Sequence, residues 1–227
     1  MSEPTGLNLV LYSGGSHGEN LGLSRQVASL LEKKASPLIT FIPADGGDVE
    51  GDFRAFKRTF AGTNCKRFQC IAIDKPLSRE EARALFAGDA IFLGGGNTFY
   101  FLHHLRTRRL LPRLRAFARR GGLLMGLSAG SIILTPTINL AAVPALDADD
   151  NEIGLRRLGA LGLVPFEFSP HYEPSAEVDS ELRAYSSTLK HPVYAAEDGA
   201  GLVVKNGKIK IVGRVSKFHR GRKIRMQ

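Results

Sequence analysis

The stretch Leu123-Leu124-Met125-Gly126-Leu127-Ser128-Ala129-Gly130-Ser131 decides how this sequence is interpreted, because an apolar run ends there in a turn of small residues. Gly126, Ser128 and Gly130 form the pattern G-x-S-x-G. This pattern is typical of a nucleophile elbow, in which a strand ends, the backbone turns sharply and a helix begins behind a serine. The alternative is a small-residue turn that packs a helix closely against a strand. On this motif alone both interpretations stay open.

A second apolar run, Ala90-Ile91-Phe92-Leu93, ends in the glycine-rich stretch Gly94-Gly95-Gly96-Asn97-Thr98. Backbone N–H groups of glycines can approach a ligand with no side chain in the way, as an oxyanion hole requires. In a nucleophile elbow the residue after the serine supplies one such donor. We therefore expect the oxyanion hole to combine the N–H of Ala129 with that of Gly95 or Gly96.

Short apolar runs alternate with helical patterns of ten or more residues along most of the chain, which favours an α/β fold. We expect a mostly parallel sheet covered by helices on both faces, with a C-terminal antiparallel hairpin that turns at Asn206-Gly207. The capping-box spacing of Ser78 and Glu81 predicts a short helix, and a helix from Thr98 to Arg120 is expected to break near Pro112. Ligands bind at the carboxyl ends of parallel strands. Three stretches should therefore meet at one edge of the sheet: Ser13–Ser16, Gly94–Asn97 and Gly126–Ser131.

The motifs GGGNTFYFL, GLSAGS about thirty residues later, and then Pro170-His171-Tyr172 resemble those of the peptidase E family of serine peptidases. These are the aspartyl dipeptidases, to which cyanophycinases are related. The resemblance extends from about Leu7 to Val212, and the fold expected is class I glutamine-amidotransferase-like. It implies a serine peptidase without metal or cofactor that hydrolyses short peptides and prefers an N-terminal aspartate. The alternatives are a cyanophycinase-like or β-aspartyl peptidase, and a non-catalytic or nucleic-acid-binding relative.

A serine nucleophile needs a base that is itself oriented by a third group, and six histidines are candidates for the base. His171 follows an apolar run at 161–168, at the expected edge of the sheet, and matches the Pro-His-Tyr of peptidase E. Its alternative role is that of a capped loop histidine. His17 is interpreted as a residue behind the catalytic groups. The remaining histidines are assigned to the surface or to packing: His103, His104, His191 and His219.

The acid is expected at Asp198 or Glu197, since the resemblance implies an acid directly before a glycine, here Gly199. Side chains alternate along an extended backbone, so only one of the two carboxylates can face His171, and Asp198 is preferred. Some family members are assigned an aspartate about fifteen residues after the nucleophile, where this chain has Val143. The acids near that position are Asp147, Asp149 and Asp150.

Asn97 matches an asparagine of the family, so it is expected to hold its loop or to contact the substrate. A helix N-cap is the structural alternative for Asn97, and both roles are compatible.

Composition predicts a single domain over residues 1–227, with residues 1–6 and about 217–227 flexible. No run approaches about twenty apolar residues, so no membrane segment is expected. Because the stretch MSEPTGLNLV lacks a signal-peptide pattern, we expect a cytoplasmic protein. The two cysteines, Cys65 and Cys70, are expected to be reduced. The expected partner is a small peptide, and a homodimer stays open.

The net charge of +9 is concentrated in Arg106–Arg120 and Lys217–Arg225. A basic surface binds nucleic acid or steers acidic substrates. A solvated helix face plus a frayed tail is favoured over both, because no nucleic-acid-binding motif is present.

Overall fold

The structure, a computed structural model, describes residues 6–143 and 148–226. Its strands are β1 (Asn8–Tyr12), β2 (Leu38–Ile42), β3 (Arg67–Cys70), β4 (Ala90–Leu93), β5 (Leu123–Leu127), β6 (Glu167–Ser169), β7 (Val193–Ala196), β8 (Gly201–Lys205), β9 (Lys208–Val212), β10 (Val215–His219) and β11 (Arg222–Met226). Its helices are α1 (Leu21–Leu30), α2 (Val49–Thr59), α3 (Arg79–Ala84), α4 (Thr98–Thr107), α5 (Leu110–Arg119), α6 (Ala129–Leu134) and α7 (Ala176–Ser187), with a 3₁₀ helix at Asn139–Ala142.

The larger sheet has seven strands in the order β3-β2-β4-β5-β1-β8-β9. Its first five strands in this order pair in parallel, and β8 and β9 add an antiparallel edge. Asn206 and Gly207 turn between β8 and β9 with φ of 51° and 77°, the positive values that a type I′ hairpin requires. The mostly parallel sheet and the C-terminal hairpin are thus confirmed.

Alternate residues of β1 pack on opposite faces of the seven-stranded sheet. Val10 and Tyr12 contact a cluster formed with α1 and α2. Leu9 and Leu11 belong to a larger cluster formed with α4, α5 and α6. The expected helical cover on both faces is therefore present, and β1 and β5 are buried between the layers as central strands of a parallel sheet should be.

A second, four-stranded sheet has the order β11-β10-β7-β6, in which only β6 and β7 are parallel. One of its faces joins the larger cluster through Tyr194 and Ala196. Its other face packs against α7 through Val193, Ala195 and Phe218. This sheet is not expected from the sequence. The apolar run at 161–168, for which a strand is expected, forms a strand only from Glu167 onward.

The basic C-terminal segment forms the β10–β11 hairpin of the second sheet, so the expectation of a flexible tail over about 217–227 is wrong for residues 217–226. Phe218 is fully buried, and Lys223 lies 2.8 Å from Asp179 of α7. These two side chains attach the hairpin to the second sheet and to α7. Charged and apolar residues alternate in this segment. That alternation is the pattern of a strand, and the number of charges alone does not reveal it.

The arginines of 106–120 lie on two helices, because the chain breaks at Arg109, which has φ of 56°. Pro112 follows within the first turn of α5, where its missing N–H costs no helical hydrogen bond. Arg108 donates to the carbonyls of Ile73 and Asp74, and Arg115 donates to those of Ala160 and Leu161. These arginines hold backbone carbonyls of neighbouring loops, a structural use of the positive charge.

The capping box predicted at Ser78 and Glu81 is present at the start of α3. Within residues 6–143 and 148–226, no helix has the length and apolar character needed to cross a membrane.

Candidate active site

Ser128 lies between β5 and α6, at the carboxyl edge of the seven-stranded sheet, with φ of 50° and ψ of −113°. L-residues other than glycine rarely adopt such a conformation, and it persists only where the surroundings enforce it. The N–H of Ser128 lies 3.1 Å from the carbonyl of Tyr12 and 3.0 Å from that of Ser13. The N–H of Gly130 donates to Gly94 at the exit of β4. Two neighbouring strands thus hold the strained turn.

Gly126 and Gly130 are required by the close approach of the strand and the helix. A Cβ atom at Gly126 would lie 2.3 Å from the carbonyl carbon of Gly130, and one at Gly130 would lie 2.1 Å from the carbonyl oxygen of Leu93. No side chain fits at either position. The small-residue packing considered as an alternative is therefore present, and it is also what holds Ser128 in its strained conformation.

His171 and Asp198 follow two neighbouring strands of the second sheet, β6 and β7. His171 Nε2 lies 2.9 Å from Ser128 Oγ, and His171 Nδ1 lies 2.8 Å from Asp198 Oδ1. A carboxylate accepts but does not donate, so this contact favours the tautomer with the proton on Nδ1 and leaves Nε2 as the acceptor for the serine hydroxyl. The three residues form one hydrogen-bonded chain that crosses from one sheet to the other.

Ser13 joins the two sheets beside this chain, and the sequence analysis assigned it no role of its own. Its Oγ donates to the carbonyl of Ala196 over 2.8 Å and accepts the N–H of His171 over 2.7 Å. The next residue, Gly14, lies against the imidazole, since a Cβ there would be 2.1 Å from His171 Cε1. A serine and a glycine after the first strand were the available sequence signal, but their partners lie more than 150 residues away.

Glu197, the alternative acid, points elsewhere. Its carboxylate lies 3.5 Å from Arg214 and its N–H donates to the carbonyl of the same residue. Asp149 accepts the N–H of Thr98 at the start of α4, and the carbonyl of Asp150 accepts from Asn97. Neither is among the hydrogen-bond partners of the His171 ring in the described part of the chain. The third acid of that group, Asp147, lies outside the described residues.

Ser131, which follows the elbow, is fully buried, and its hydroxyl lies 2.8 Å and 2.7 Å from the carbonyls of Tyr12 and Gly126. It therefore stabilises the turn. Of the other histidines, His191 approaches Glu167 at 3.6 Å, and His219 lies on β10.

The expected oxyanion donors surround Ser128. Ala129 begins α6, so its N–H has no acceptor within the helix. Gly95 is adjacent, since a Cβ there would be 3.6 Å from Ser128 Cβ. Within the described ranges, the N–H groups of Ala129, Gly95 and Gly96 donate to no protein carbonyl. They are available to a ligand oxygen.

A cleft of about 250 Å³ opens at this chain of residues. Its lining includes Ser128, His171, Gly96, Leu140, Ala141 and Asp149. Among residues 6–143 and 148–226, no group of three or more histidine, cysteine or acidic side chains is arranged to hold a metal ion.

Comparison with known proteins gives a family assignment. Residues 9–212 match the family model described as peptidase family S51. The chain belongs to this family. The resemblance to peptidase E is therefore confirmed, and membership places the chain among the peptidases, a class of hydrolases.

Several relatives are peptidases by name. An uncharacterized peptidase of Bacillus subtilis, YgaJ, is 28% identical over 208 residues, covering 88% of this chain and 84% of that protein. A peptidase E of Shewanella amazonensis is 32% identical over 140 residues, covering 58% of this chain and 57% of the relative. A probable alpha-aspartyl dipeptidase of Drosophila melanogaster is 30% identical over 149 residues, covering 59% of this chain and 57% of the relative. The last two matches thus span little more than half of either relative.

Solved structures confirm the fold. A putative peptidase E protein from Listeria monocytogenes superposes with a TM-score of 0.70 at 20% identity, covering 91% of this chain and 98% of that chain. A peptidase from an acI-B1 actinobacterium superposes with a TM-score of 0.63 at 18% identity, covering 99% of both chains. The α/β architecture of this S51 chain is thus shared with known peptidase structures.

Asn97 caps the N-terminus of α4 in this S51 chain, which is the structural role considered for it from the sequence. Its Oδ1 accepts the N–H of Tyr100 over 3.0 Å, and its Nδ2 donates to the carbonyl of Asp150 over 2.9 Å. Both side-chain groups are therefore occupied in fixing the wall beside the cleft. A direct contact with substrate stays a prediction.

Proposed function

We propose that this chain is a serine peptidase that hydrolyses short peptides, with Ser128 as nucleophile, His171 as general base and Asp198 as the acid that orients His171. The observation that carries the proposal is the continuous hydrogen-bonded chain of these three residues at a strained strand-to-helix turn. Serine, histidine and an acid in this geometry recur on unrelated folds wherever acyl transfer is performed.

The chemistry follows from the geometry. His171 Nε2 accepts the proton of Ser128 Oγ as the oxygen attacks the peptide carbonyl, and Asp198 stabilises the imidazolium that forms. The N–H groups of Ala129 and Gly95 lie beside Ser128 and donate to the oxyanion. His171 then returns the proton to the leaving amine, and water, activated by the same imidazole, releases the acyl group.

The size of the cleft supports short substrates. At about 250 Å³, it is slightly smaller than the roughly 300–1,000 Å³ typical of sites that bind small molecules. Leu140 and Ala141 of the 3₁₀ helix, together with Asp149, line it as well, and an extended polypeptide would need a longer, continuous groove.

The peptidase E resemblance implies a preference for N-terminal aspartate, and one relative carries alpha-aspartyl dipeptidase in its name. Such a preference requires a cation near Ser128. The cleft is lined by Asp149 and, among the described residues, by no lysine or arginine. Arg58 lines a neighbouring cavity and is the one candidate of this kind there.

The decisive experiment labels the nucleophile. A serine-directed phosphonate should modify Ser128 in the native protein and block hydrolysis of a dipeptide panel. Labelling that maps to Ser13 or Ser131 instead would contradict the proposal, as would full activity of the phosphonylated protein.

A further inference from the structure

A second cavity, of about 330 Å³, adjoins Ser128 through Gly95, and His171 is not among its lining residues. Gly95 and Leu127 form its border with the active site, since one lies against Ser128 and the other precedes it in β5. The cavity extends between the loop that precedes α1 and helix α2. Its volume lies within the range typical of ligand sites.

The floor of this cavity is aromatic and fixed. Phe41, Phe56 and Phe92 line it and are 4%, 4% and 2% exposed. Their rings pack against one another, with centroids 4.9 Å apart for Phe41 and Phe56 and 5.0 Å for Phe56 and Phe92. Leu127 adds an aliphatic wall. Such a surface favours an apolar side chain and cannot solvate a charge.

Three buried polar atoms at the cavity have no hydrogen-bond partner in the described part of the chain: Asn20 Oδ1, the Tyr12 hydroxyl and His17 Nδ1. Asn20 is 4% exposed, and its Nδ2 lies within 3.1 Å of the carbonyls of Gly14, Gly15 and Ser16. Those three acceptors fix the orientation of the amide and leave Asn20 Oδ1 unpartnered. The hydroxyl of Tyr12 is also buried and unpartnered. Buried polar groups are normally satisfied, so these three atoms point to a bound group or to water.

The chemistry of the proposed reaction decides which part of a substrate reaches this cavity. The leaving amine must receive its proton from His171 Nε2, so it lies in the cleft lined by Ser169, Pro170 and His171. The residue on the acyl side then extends past Gly95 into the cavity that His171 does not line. Resting on the proposed function, we infer that the second cavity binds the side chain of the residue on the acyl side of the scissile bond, and that it selects large aromatic or aliphatic side chains.

The charges at the rim do not favour an aspartate there. Asp52 and Arg58 both line the cavity and are exposed. Partial burial raises the pKa of Asp52, and the neighbouring carboxylates of Asp45 and Asp48 raise it further. Asp52 therefore disfavours another negative charge beside it, whereas Arg58 is the cation with which a substrate aspartate could pair.

The test uses dipeptides that share a C-terminal alanine and begin with phenylalanine, leucine, alanine or aspartate. We expect kcat/KM for the phenylalanyl and leucyl peptides to exceed that of the alanyl peptide by roughly 10–200-fold, the discrimination that an apolar pocket achieves. The aspartyl peptide should rank no higher than the alanyl peptide. A best rate for the aspartyl peptide that is removed by Arg58→Gln would overturn the inference.

A variant that fills the second cavity tests whether this cavity selects the first residue of the substrate, and it leaves the buried core unchanged. Ala55 is exposed on α2 and lines the cavity, so Ala55→Phe should narrow the preference for large first residues to less than tenfold. Ala61, exposed just beyond α2 and outside the cavity, provides the control Ala61→Phe, for which the ranking should not change. An equal loss with all four peptides in Ala55→Phe would show that the cavity does not select the first residue.

Binding separates failure of this inference from failure of the proposed function. In Ser128→Ala protein, calorimetry should show tighter binding of the phenylalanyl than of the aspartyl peptide, and Ala55→Phe should remove the difference. Equal binding of both peptides, together with hydrolysis that depends on Ser128, would refute the pocket and retain the peptidase. Selective binding with hydrolysis that survives Ser128→Ala would retain the pocket and refute the proposed nucleophile.

Discussion

The two sheets contribute different parts of the proposed triad and hold them in different ways. The seven-stranded sheet fixes Ser128 through backbone contacts from β1 and β4, between buried layers on both faces. The four-stranded sheet supplies His171 and Asp198, whose side chains are 37% and 45% exposed. The proposed nucleophile is thus held directly by strands of the core, whereas the proposed base and its acid depend on how the second sheet is attached to the first.

The largest expected effect tests whether the two sheets act as one catalytic unit. Ser128→Ala and His171→Ala each remove one partner, and each should lower kcat by about 10⁶ if the triad is cooperative. The double variant should then lose little more than either single variant. A double variant whose losses multiply would show that the two sheets contribute independently, and substantial activity in Ser128→Ala would place the nucleophile elsewhere.

The second effect lies within the four-stranded sheet and distinguishes two adjacent carboxylates. Asp198→Asn should lower kcat on the order of 10³–10⁴ by favouring the wrong histidine tautomer. Glu197→Gln is the matched control and should have little effect, because Glu197 pairs with the exposed Arg214. The reverse ranking in steady-state kinetics would reassign the orienting acid to Glu197.

The difference between the sheets also explains what the sequence alone could predict. Strands β1, β4 and β5 are short apolar runs followed by glycine or serine. Their positions and their shared edge can therefore be predicted from the local sequence. The β10–β11 hairpin was missed because its apolar residues, Val215 and Phe218, are interspersed with charges, which we attributed to a solvated tail. Its partner strands are distant in sequence, and a local pattern contains no information about such pairing.

The candidate site shows the same division. Ser128, Gly95 and His171 were identifiable from motifs, and the structure brings them together. Ser13 was not, because one serine after a strand has no distinguishing pattern, and its role depends on contacts with Ala196 and His171. The choice between Asp198 and Glu197 also required the backbone course after β7.

The third prediction concerns Ser13, which joins the sheets beside the proposed triad. Ser13→Ala leaves the N–H of His171 and the carbonyl of Ala196 without their partner, which should cost about 1–3 kcal/mol of stability. A shifted imidazole should also lower kcat roughly 10–100-fold. Urea denaturation and kinetics measure the two effects. Ser24→Ala is the control, since Ser24 is equally buried but bonds within the segment of α1. An equal kinetic loss in both variants would deny Ser13 a specific role.

The smallest effect is the pH dependence of the attachment between α7 and β11. Burial alone would raise the pKa of Asp179, but hydrogen bonds from Lys223 and Tyr172 outweigh it and lower that pKa. The same contacts raise the pKa of Lys223 against the opposing effect of burial. A lowered acid pKa stabilises the fold above the unfolded value of about 3.9 and ceases to do so as the pH falls through the folded value. A raised lysine pKa stabilises below about 10.4 and ceases to do so as the pH rises through the folded value.

The pair should therefore contribute fully between about pH 4 and pH 10 and weaken on either side. The contribution is expected to be about 1 kcal/mol, because both side chains are partly exposed. Urea denaturation from pH 3 to pH 11 measures this contribution in Asp179→Asn. The control is Glu177→Gln, which lies on the same first turn of α7. The difference in unfolding free energy between these variants should be largest near neutral pH and shrink toward both extremes. A difference that stays constant with pH would show that the charges of Asp179 and Lys223 do not hold the second sheet in place, and that Phe218 and its apolar neighbours alone do so.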